Sequence, residues 1–255
     1  MPLDVSCIPS AFRRTHTLRT TWAMSDICSA HYLFEDGGTN ASGNVAGLVS
    51  AAFPAYARIL HPAYRRVSEA TSAAPASFAS VRWTTVAKHS GAIAHPAMEW
   101  EAISAGHRDP ETLVWDVPPS TGRLPSPEQM VLAGVLEDHT STPERCWFAF
   151  AEARGLTVPP DYPRIITAMG PMIVFCGAVL DAGRTFQYES PNLWWPEDRR
   201  WCVASDIDLM ATYVGGSLAC IEDLLASPSL EAMPAKPDQK ITIDADTVNP
   251  PPPQP

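Results

Sequence analysis

The chain has 255 residues, 45% of them hydrophobic, and carries a formal net charge of −10 with a pI of about 5.1. This length and composition allow one sizeable core. The acidity argues against a nucleic-acid-binding protein, because phosphate groups require a basic surface. The most apolar run, residues 168–180, is too short to span a membrane and contains Pro171 and Gly177, so we expect no membrane segment.

The two ends of the chain differ in composition from its middle. Residues 1–23 contain arginines but no apolar stretch typical of a secretory signal. We interpret them as either a disordered leader or a misassigned start, with Met24 as the true first residue. Residues 227–255 are rich in Pro, Asp and Ser, which predicts a disordered or polyproline-like tail. The remaining residues 24–226 are expected to form a single domain.

The cysteines are scattered along the chain and form no C-x-x-C pair. They lie at positions 7, 28, 146, 176, 202 and 220. This pattern favours buried, reduced thiols and a cytoplasmic location over a disulfide framework.

The first half of the chain predicts one strand, one loop and two helices. The strand covers Tyr56 to His61, and residues 68–80, which are mainly Ala, Ser, Thr and Pro, are expected to form a mobile surface loop. A helix is predicted at Val81–Ser90 with Gly91 just beyond its C-terminus. A second, short helix is predicted to begin at residues 95–96.

The second half opens with the clearest helix start in the chain. Ser-Pro-Glu-Gln at residues 126–129 fits an N-cap, an N1 proline and a capping box. Strands are predicted at Cys146–Ala151 and at residues 165–169. Residues 172–180 could form a buried strand or a buried helix, because periodicity alone does not separate the two.

The stretch at residues 190–208 concentrates tryptophans, prolines and charges. Its two prolines exclude a helix interior, so residues 190–198 are predicted to form an ordered loop with two adjacent indoles. From Trp201 the pattern alternates with period two, which predicts a strand with Asp206 and Asp208 on one face.

A glycine turn and an amphipathic helix with Ser217 as N-cap are predicted to follow this stretch. Together the elements favour an α+β fold. We expect one mixed or mostly antiparallel sheet that three or four helices partly cover.

Several pieces of the chain carry a resemblance to a known group of sequences. They are residues 58–62, 81–83, 95–96, 139–148 and 190–217. The most specific is the last, which runs from Ser190-Pro191-Asn192 to Gly215-Gly216-Ser217. On these motifs the chain resembles a family of uncharacterised proteins from high-GC bacteria over roughly residues 45–226. The resemblance implies a domain boundary and no mechanism. In composition and size the chain is also similar to tryptophan-rich α+β immunity proteins of the yeast cell-wall-regulator type.

The first candidate site is the pair of adjacent indoles. Trp194 and Trp195, with Asp198 and Arg199 beside them, would form a docking platform for a protein partner, because Trp and Arg dominate binding hot spots. The indoles could instead anchor the core, with their N–H groups bonded to carbonyls. Trp201, at the start of a strand, is predicted to be core.

Two further ligand sites are suggested by short motifs. Asp206 and Asp208 could hold Mg²⁺ or Mn²⁺ through carboxylates on one strand face; otherwise one caps a turn and the other pairs with an arginine. Gly215, Gly216 and Ser217 could present backbone N–H groups to an anion at a helix N-terminus, or simply form a turn and a cap.

The histidines show no spacing typical of a metal site. His61, His95 and His139 lie far apart in sequence. The first two, each followed by a proline, are expected to end elements, with their rings bonded to backbone. No cofactor is expected.

Two functions therefore remain open. The first is a non-enzymatic binding protein, of the interaction or immunity type, that presents the loop at residues 190–200 to a partner. The alternative is an enzyme that acts on a small phosphorylated or sugar-nucleotide substrate with a divalent cation at Asp206 and Asp208. Neither function involves nucleic acid or a membrane.

Overall fold

The protein folds as one α+β domain. The structure is a computed structural model, and it describes residues 43–70, 75–104, 114–156, 162–167 and 169–249. The predictions made for residues 1–23 lie outside these ranges. Within the ranges the chain forms ten strands and four α-helices, which confirms the predicted fold class.

Most of the strands belong to one antiparallel sheet. The strands are β1 (Ala55–Leu60), β2 (Ala63–Ser68), β3 (Ser77–Val81), β4 (Cys146–Ala151), β5 (Arg164–Thr167), β6 (Gly170–Gly177), β7 (Leu193–Pro196), β8 (Cys202–Ala204), β9 (Ala211–Gly216) and β10 (Ala232–Ala235). Eight of them pair in the order β10-β1-β9-β8-β7-β4-β6-β5. Most of residues 172–180, which periodicity could not assign to a strand or a helix, therefore belong to a strand, β6. It pairs with β4 and β5.

Three of the four helices begin within two residues of the predicted positions, but the short helix predicted to begin at residues 95–96 begins at Trp100. They are α1 (Trp83–Ser90), α2 (Trp100–Ser104), α3 (Ser126–Glu137) and α4 (Leu218–Ala226). Gly91 ends α1 in the left-handed region with φ 76°, and the Ser217 hydroxyl caps α4 by accepting from the Cys220 amide at 3.2 Å. The capping box predicted for α3 is wrong: its N-cap is Pro125, and no side chain caps it.

The main sheet is buried on both faces, so its central strands read as continuous apolar runs. One face packs on α1 and α2 through Trp83, Trp100, Trp147, Trp195 and Tyr213. The other packs on α3 and α4 through Phe148, Phe150, Phe175, Trp194 and Trp201. Because successive side chains of a strand point to opposite faces, both indoles of β7 enter the core.

The strands β2 and β3 form a separate hairpin, and they correct the prediction of a loop over residues 68–80. Ser77–Val81 pairs with Ala63–Ser68 although most of both strands is exposed. The prediction failed because the hairpin buries few apolar side chains, so its sequence has the composition of a loop. Residues 71–74 lie outside the described ranges.

The predicted disordered tail at 227–255 also requires correction, because the domain continues to Asn249. The strand β10 pairs with β1 along the edge of the main sheet, and Ile241 is buried. Asp246 accepts hydrogen bonds from His95 and from the Glu99 amide. Backbone pairing and polar contacts hold this segment, and low apolar content does not reveal either of them. Residues 250–255 lie outside the described ranges.

Two further expectations concern membranes and thiols. No helix in the described ranges is long and apolar enough to cross a membrane. The cysteines at positions 146, 202 and 220 are buried and form no disulfide within the described ranges. The cytoplasmic location stays a prediction.

Candidate functional site

The predicted indole platform is not on the surface. Trp194 and Trp195 are each 1% exposed, and they belong to β7, which pairs with β4 on one side and β8 on the other. The Trp194 ring lies 6.1 Å from the Phe148 ring and 5.2 Å from the Trp201 ring. The prediction of an ordered loop was wrong because prolines at the ends of a short strand are compatible with pairing. The two indoles are core anchors.

Asp198 and Arg199 lie in the surface segment that follows β7. The Asp198 carboxylate accepts from the Ser141 amide at 2.7 Å, the Ser141 hydroxyl at 2.8 Å and the Thr140 hydroxyl at 2.8 Å. Burial alone would raise the pKa of Asp198, but these hydrogen bonds outweigh it and hold the pKa below its usual value. Arg199 is exposed with φ 58°. Asp198 therefore ties two loops together.

The predicted metal pair does not lie on a strand. The strand β8 ends at Ala204, and the Asp206 carboxylate accepts from the Asp208 amide at 3.0 Å within the turn that follows. The alternating pattern was misleading because a turn can continue the period of a strand for a few residues. No group of three or more His, Cys, Asp or Glu in the described ranges could hold a metal ion.

The predicted glycine turn is the end of a buried strand. Gly215 and Gly216 belong to β9 and pair with Tyr56 and Ala55 of β1, so their backbone is not displayed to an anion. A Cβ on Gly215 would lie 2.5 Å from Cδ2 of the Phe53 ring. The glycine is needed for this close packing. Ser217 keeps its predicted role as an N-cap.

The histidines and buried thiols of the described ranges serve the structure. Both ring nitrogens of His61 are bonded, one to the Ser120 carbonyl at 2.7 Å and one to the Thr212 hydroxyl at 2.9 Å. Burial lowers the pKa of His61 to about 4, which keeps the ring neutral. His95 and His139 each pair with an aspartate. Burial raises the pKa of the thiols at positions 146, 202 and 220.

A cleft with a different character lies beside the start of the tryptophan-rich stretch. We call it the Ser190 cleft; its volume is about 330 Å³. It is lined by Tyr64, Ser120, Arg123, Leu124, Pro125, Ser126, Thr185 and Ser190. These residues come from the hairpin, from the segment that leads into α3, and from the connection between β6 and β7. Three distant parts of the sequence therefore build one concave surface.

Buried polar contacts hold the wall of the cleft that precedes α3. The Ser120 carbonyl accepts from Nδ1 of His61 at 2.7 Å, and the Gly122 carbonyl accepts from the Asn192 side chain at 3.2 Å. Gly122 has φ 75°, and a Cβ there would lie 1.7 Å from Nη2 of Arg154. A glycine is therefore required at this position. The wall is fixed before any ligand arrives.

A strained turn forms the rim. The amide of Phe186 donates to the Glu189 carbonyl at 2.8 Å and the amide of Glu189 donates back at 3.0 Å, while Gln187 and Tyr188 have φ 50° and 71°. Such left-handed residues cost about 1–2 kcal/mol each when they are not glycine. Arg123 donates from Nη1 to the Tyr188 carbonyl at 2.8 Å. The Tyr188 side chain is 88% exposed.

Three of the hydroxyl groups that line the cleft make no hydrogen bond to any described residue. They belong to Ser126 and Thr185, which are exposed, and to Ser190, which is 4% exposed. Burial raises the pKa of Tyr64, and the nearby charge of Glu128 raises it further. Burial also raises the pKa of Glu128, and its Oε2 atom is enclosed without a hydrogen-bond donor. The cleft therefore presents unused donors and acceptors.

Only two of these lining residues, Ser126 and Ser190, belong to motifs that stand out in the sequence. Ser126 was interpreted as a helix cap, and its missing cap bond is the reason that its hydroxyl is available to the cleft. Ser190 was noted only as the start of the tryptophan-rich stretch. Comparisons with models of protein families, with curated proteins and with solved structures find no match for this chain. The resemblance stated above stays a prediction.

Proposed function

We propose that the protein is a non-enzymatic binding protein that recognises a small polar ligand in the Ser190 cleft. The observation that carries the proposal is the set of unbonded hydroxyls around this volume, above all that of Ser190. These hydroxyls are open to a ligand, because no hydrogen bond to a described residue has to be broken before they bond to it.

The dimensions of the cleft fit a small molecule. Its volume of about 330 Å³ lies at the lower end of the range of roughly 300–1,000 Å³ that is typical of ligand pockets. Its lining combines the apolar Leu124 and Pro125 with hydroxyl groups and one guanidinium, which is the mixture that fixes the orientation of a ligand.

Binding is favoured over catalysis by the way in which reactive groups are used. His61 is neutral and bonded through both nitrogens, and the buried thiols hold their protons. These groups lie in the core or in structural ion pairs, and none of them lines the cleft. The enzyme alternative required Asp206 and Asp208 on one face of a strand, but both residues lie in the turn after β8.

The test is to fill the cleft without touching the core. Thr185 is exposed and lines the cleft, so Thr185→Trp should occupy the volume, and Thr85→Trp on the exposed face of α1 is the matched control. The low-molecular-weight fraction of the native cells is added, and the melting temperature is measured. A ligand at 100 times its Kd stabilises by about 2.7 kcal/mol. We expect this shift in the wild type and in Thr85→Trp, and its loss in Thr185→Trp. A shift that persists in Thr185→Trp would place the ligand elsewhere.

A protein partner is a second candidate, which the exposed Tyr188 side chain at the rim favours. Tyrosine is enriched among binding hot spots, whose truncation costs about 2 kcal/mol or more, roughly thirtyfold in affinity. A pull-down from native lysate would compare Tyr188→Ala with Phe78→Ala, a control for another exposed aromatic ring. Loss of a partner in Tyr188→Ala alone supports this candidate, and equal capture by both variants contradicts it.

A further inference from the structure

The Ser190 cleft contains a positive charge that no carboxylate neutralises within the described ranges. Arg123 donates from Nη1 to the Tyr188 carbonyl, which fixes the guanidinium at the rim. It forms no ion pair with any described residue, although the whole chain carries a net charge of −10. An arginine held in place without a counter-ion is suited to a ligand that supplies the negative charge.

The first turn of α3 adds a second favourable feature to the same wall. The helix has twelve residues and begins at Ser126, which lines the cleft. Its N-terminal end carries partial positive charge and favours an anion. Ser190, which is 4% exposed, lines the same cleft and makes no side-chain hydrogen bond to a described residue, so its hydroxyl can donate to an oxygen placed there.

From these contacts, and resting on the proposed binding function, we infer that the ligand of the Ser190 cleft carries an oxyanion held by Arg123, Ser126 and Ser190. A phosphoryl group and a carboxylate share this chemistry. Guanidinium groups bind both in a bidentate way, and hydroxyls complete the set of donors.

The negative charge of Glu128 predicts the direction in which one substitution changes anion affinity. Its carboxylate acts on Tyr64 of the cleft and has an enclosed oxygen without a donor. A bound oxyanion would be repelled by this charge. Glu128→Gln should therefore tighten oxyanion binding, an effect that a purely structural role of Arg123 would not produce.

The experiment titrates the full chain with inorganic phosphate, with acetate and with glucose, and follows heat and melting temperature. Phosphate and acetate separate the two oxyanion sources, and glucose is the neutral probe. Charged hydrogen bonds contribute about 1.5–3 kcal/mol, so Arg123→Gln should weaken anion binding by at least about tenfold. Arg200→Gln, which removes an exposed positive charge elsewhere, should leave it unchanged.

A second pair of variants tests whether weaker anion binding comes from a lost contact to the ligand or from a less stable turn. Ser126→Ala removes no hydrogen bond within the described protein, so it should weaken anion binding without lowering stability. Ser80→Ala, on the exposed face of β3, should change neither. Anion binding that survives both Arg123→Gln and Ser126→Ala would overturn the inference, as would the absence of anion binding with a Kd below about 10 mM.

The outcomes distinguish this inference from the proposed function. Suppose that the native small-molecule fraction stabilises the wild type but not Thr185→Trp, while neither anion binds. The binding function would then stand, and the oxyanion would be wrong. If instead the ligand shift persists in Thr185→Trp, the cleft is not the binding site and both proposals fail.

Discussion

The tryptophan-rich stretch and the Ser190 cleft are neighbours in sequence but opposite in character. In the stretch, the Trp201 indole donates to the Leu136 carbonyl at 2.9 Å and its ring packs on Trp194, so both apolar and polar requirements are met. In the cleft, the Ser190 hydroxyl has no partner and the Tyr188 ring is displayed to solvent. The large tryptophan side chains of the stretch therefore belong to the core, whereas the candidate site is lined by small hydroxyl side chains that the described protein leaves without a hydrogen-bond partner.

The sharpest test of this contrast is truncation of the three indoles. Trp194→Ala, Trp195→Ala and Trp201→Ala should each lower the free energy of unfolding by about 3–5 kcal/mol, because each removes a fully buried aromatic side chain. Urea unfolding measures the effect. Tyr188→Ala at the rim is the control and should change stability by less than about 0.5 kcal/mol. A small loss for Trp194 or Trp195 would return that indole to the list of surface candidates.

The C-terminal segment should behave like the core, since its contacts are also satisfied. Burial alone would raise the pKa of Asp246, but hydrogen bonds from Asn249, Val248 and Glu99 outweigh it and lower the pKa to about 2, from 3.8. Its stabilisation is therefore present above pH 3.8 and is lost as the pH falls towards 2.

Asp246→Ala should lower the free energy of unfolding by about 2–3 kcal/mol near neutral pH, because it leaves several partly buried donors without their acceptor. Asp244→Ala is the control, since Asp244 and its partner Lys240 are exposed, and it should cost under about 1 kcal/mol. Equal losses in chemical unfolding would mean that the segment is not held by Asp246.

A pair of glycines tests whether the end of β9 is packed. Gly215→Ala should lower the free energy of unfolding by about 1–3 kcal/mol, because its Cβ would overlap the Phe53 ring. Gly134→Ala, inside α3 with no heavy atom within 4 Å of the new Cβ, should raise it by about 0.5–1 kcal/mol. The same sign for both variants would contradict the packing at β9 and reopen the glycine pair as an exposed turn.

The smallest effect concerns the carboxyl group of Glu99. Unlike the Ser190 hydroxyl of the cleft, this group has a partner within the protein. Glu99 pairs with Arg58 at 3.1 Å; burial raises its pKa to about 7 although the Arg58 charge opposes this. The folded pKa lies above the unfolded value of 4.5, so its contribution to stability is complete below pH 4.5 and is lost as the pH rises through 7.

Between about pH 6 and pH 8 this group alone should lower the free energy of unfolding by about 1 kcal/mol. In Glu99→Gln, the free energy of unfolding should not show this decrease with rising pH. In Glu222→Gln, on the exposed face of α4, the decrease should remain. Identical pH dependence in the wild type and Glu99→Gln would exclude Glu99 as its source.

Local signals in the sequence predicted much of the fold. Gly91 and Ser217 end and start helices where expected, and the apolar run at Cys146–Ala151 is a strand with those bounds. The edge strand β10 and the hairpin strand β3 were missed because each is short, pairs through its backbone and contains no fully buried side chain.

The candidate site could not be predicted in the same way. Tyr64, Arg123 and Thr185 come together only through the tertiary fold, and no spacing in the sequence links them. The predicted sites were placed where tryptophans, glycines and charged residues are concentrated in the sequence. In this protein the tryptophans and glycines of that stretch pack in the core. Whether a hydroxyl such as that of Ser190 lacks a partner is visible only once its surroundings are known.

The central claim, that the Ser190 cleft is the binding surface, can be tested by chemical-shift mapping in one titration. The labelled chain is titrated with inorganic phosphate and, separately, with the native small-molecule fraction. Amide and indole N–H resonances are followed together. We predict that the changes cluster at residues 120–126 and 185–190, while the indole resonances of Trp195 and Trp201 stay in place. Changes centred on residues 198–200 or 206–217, with the cleft unaffected, would contradict the account.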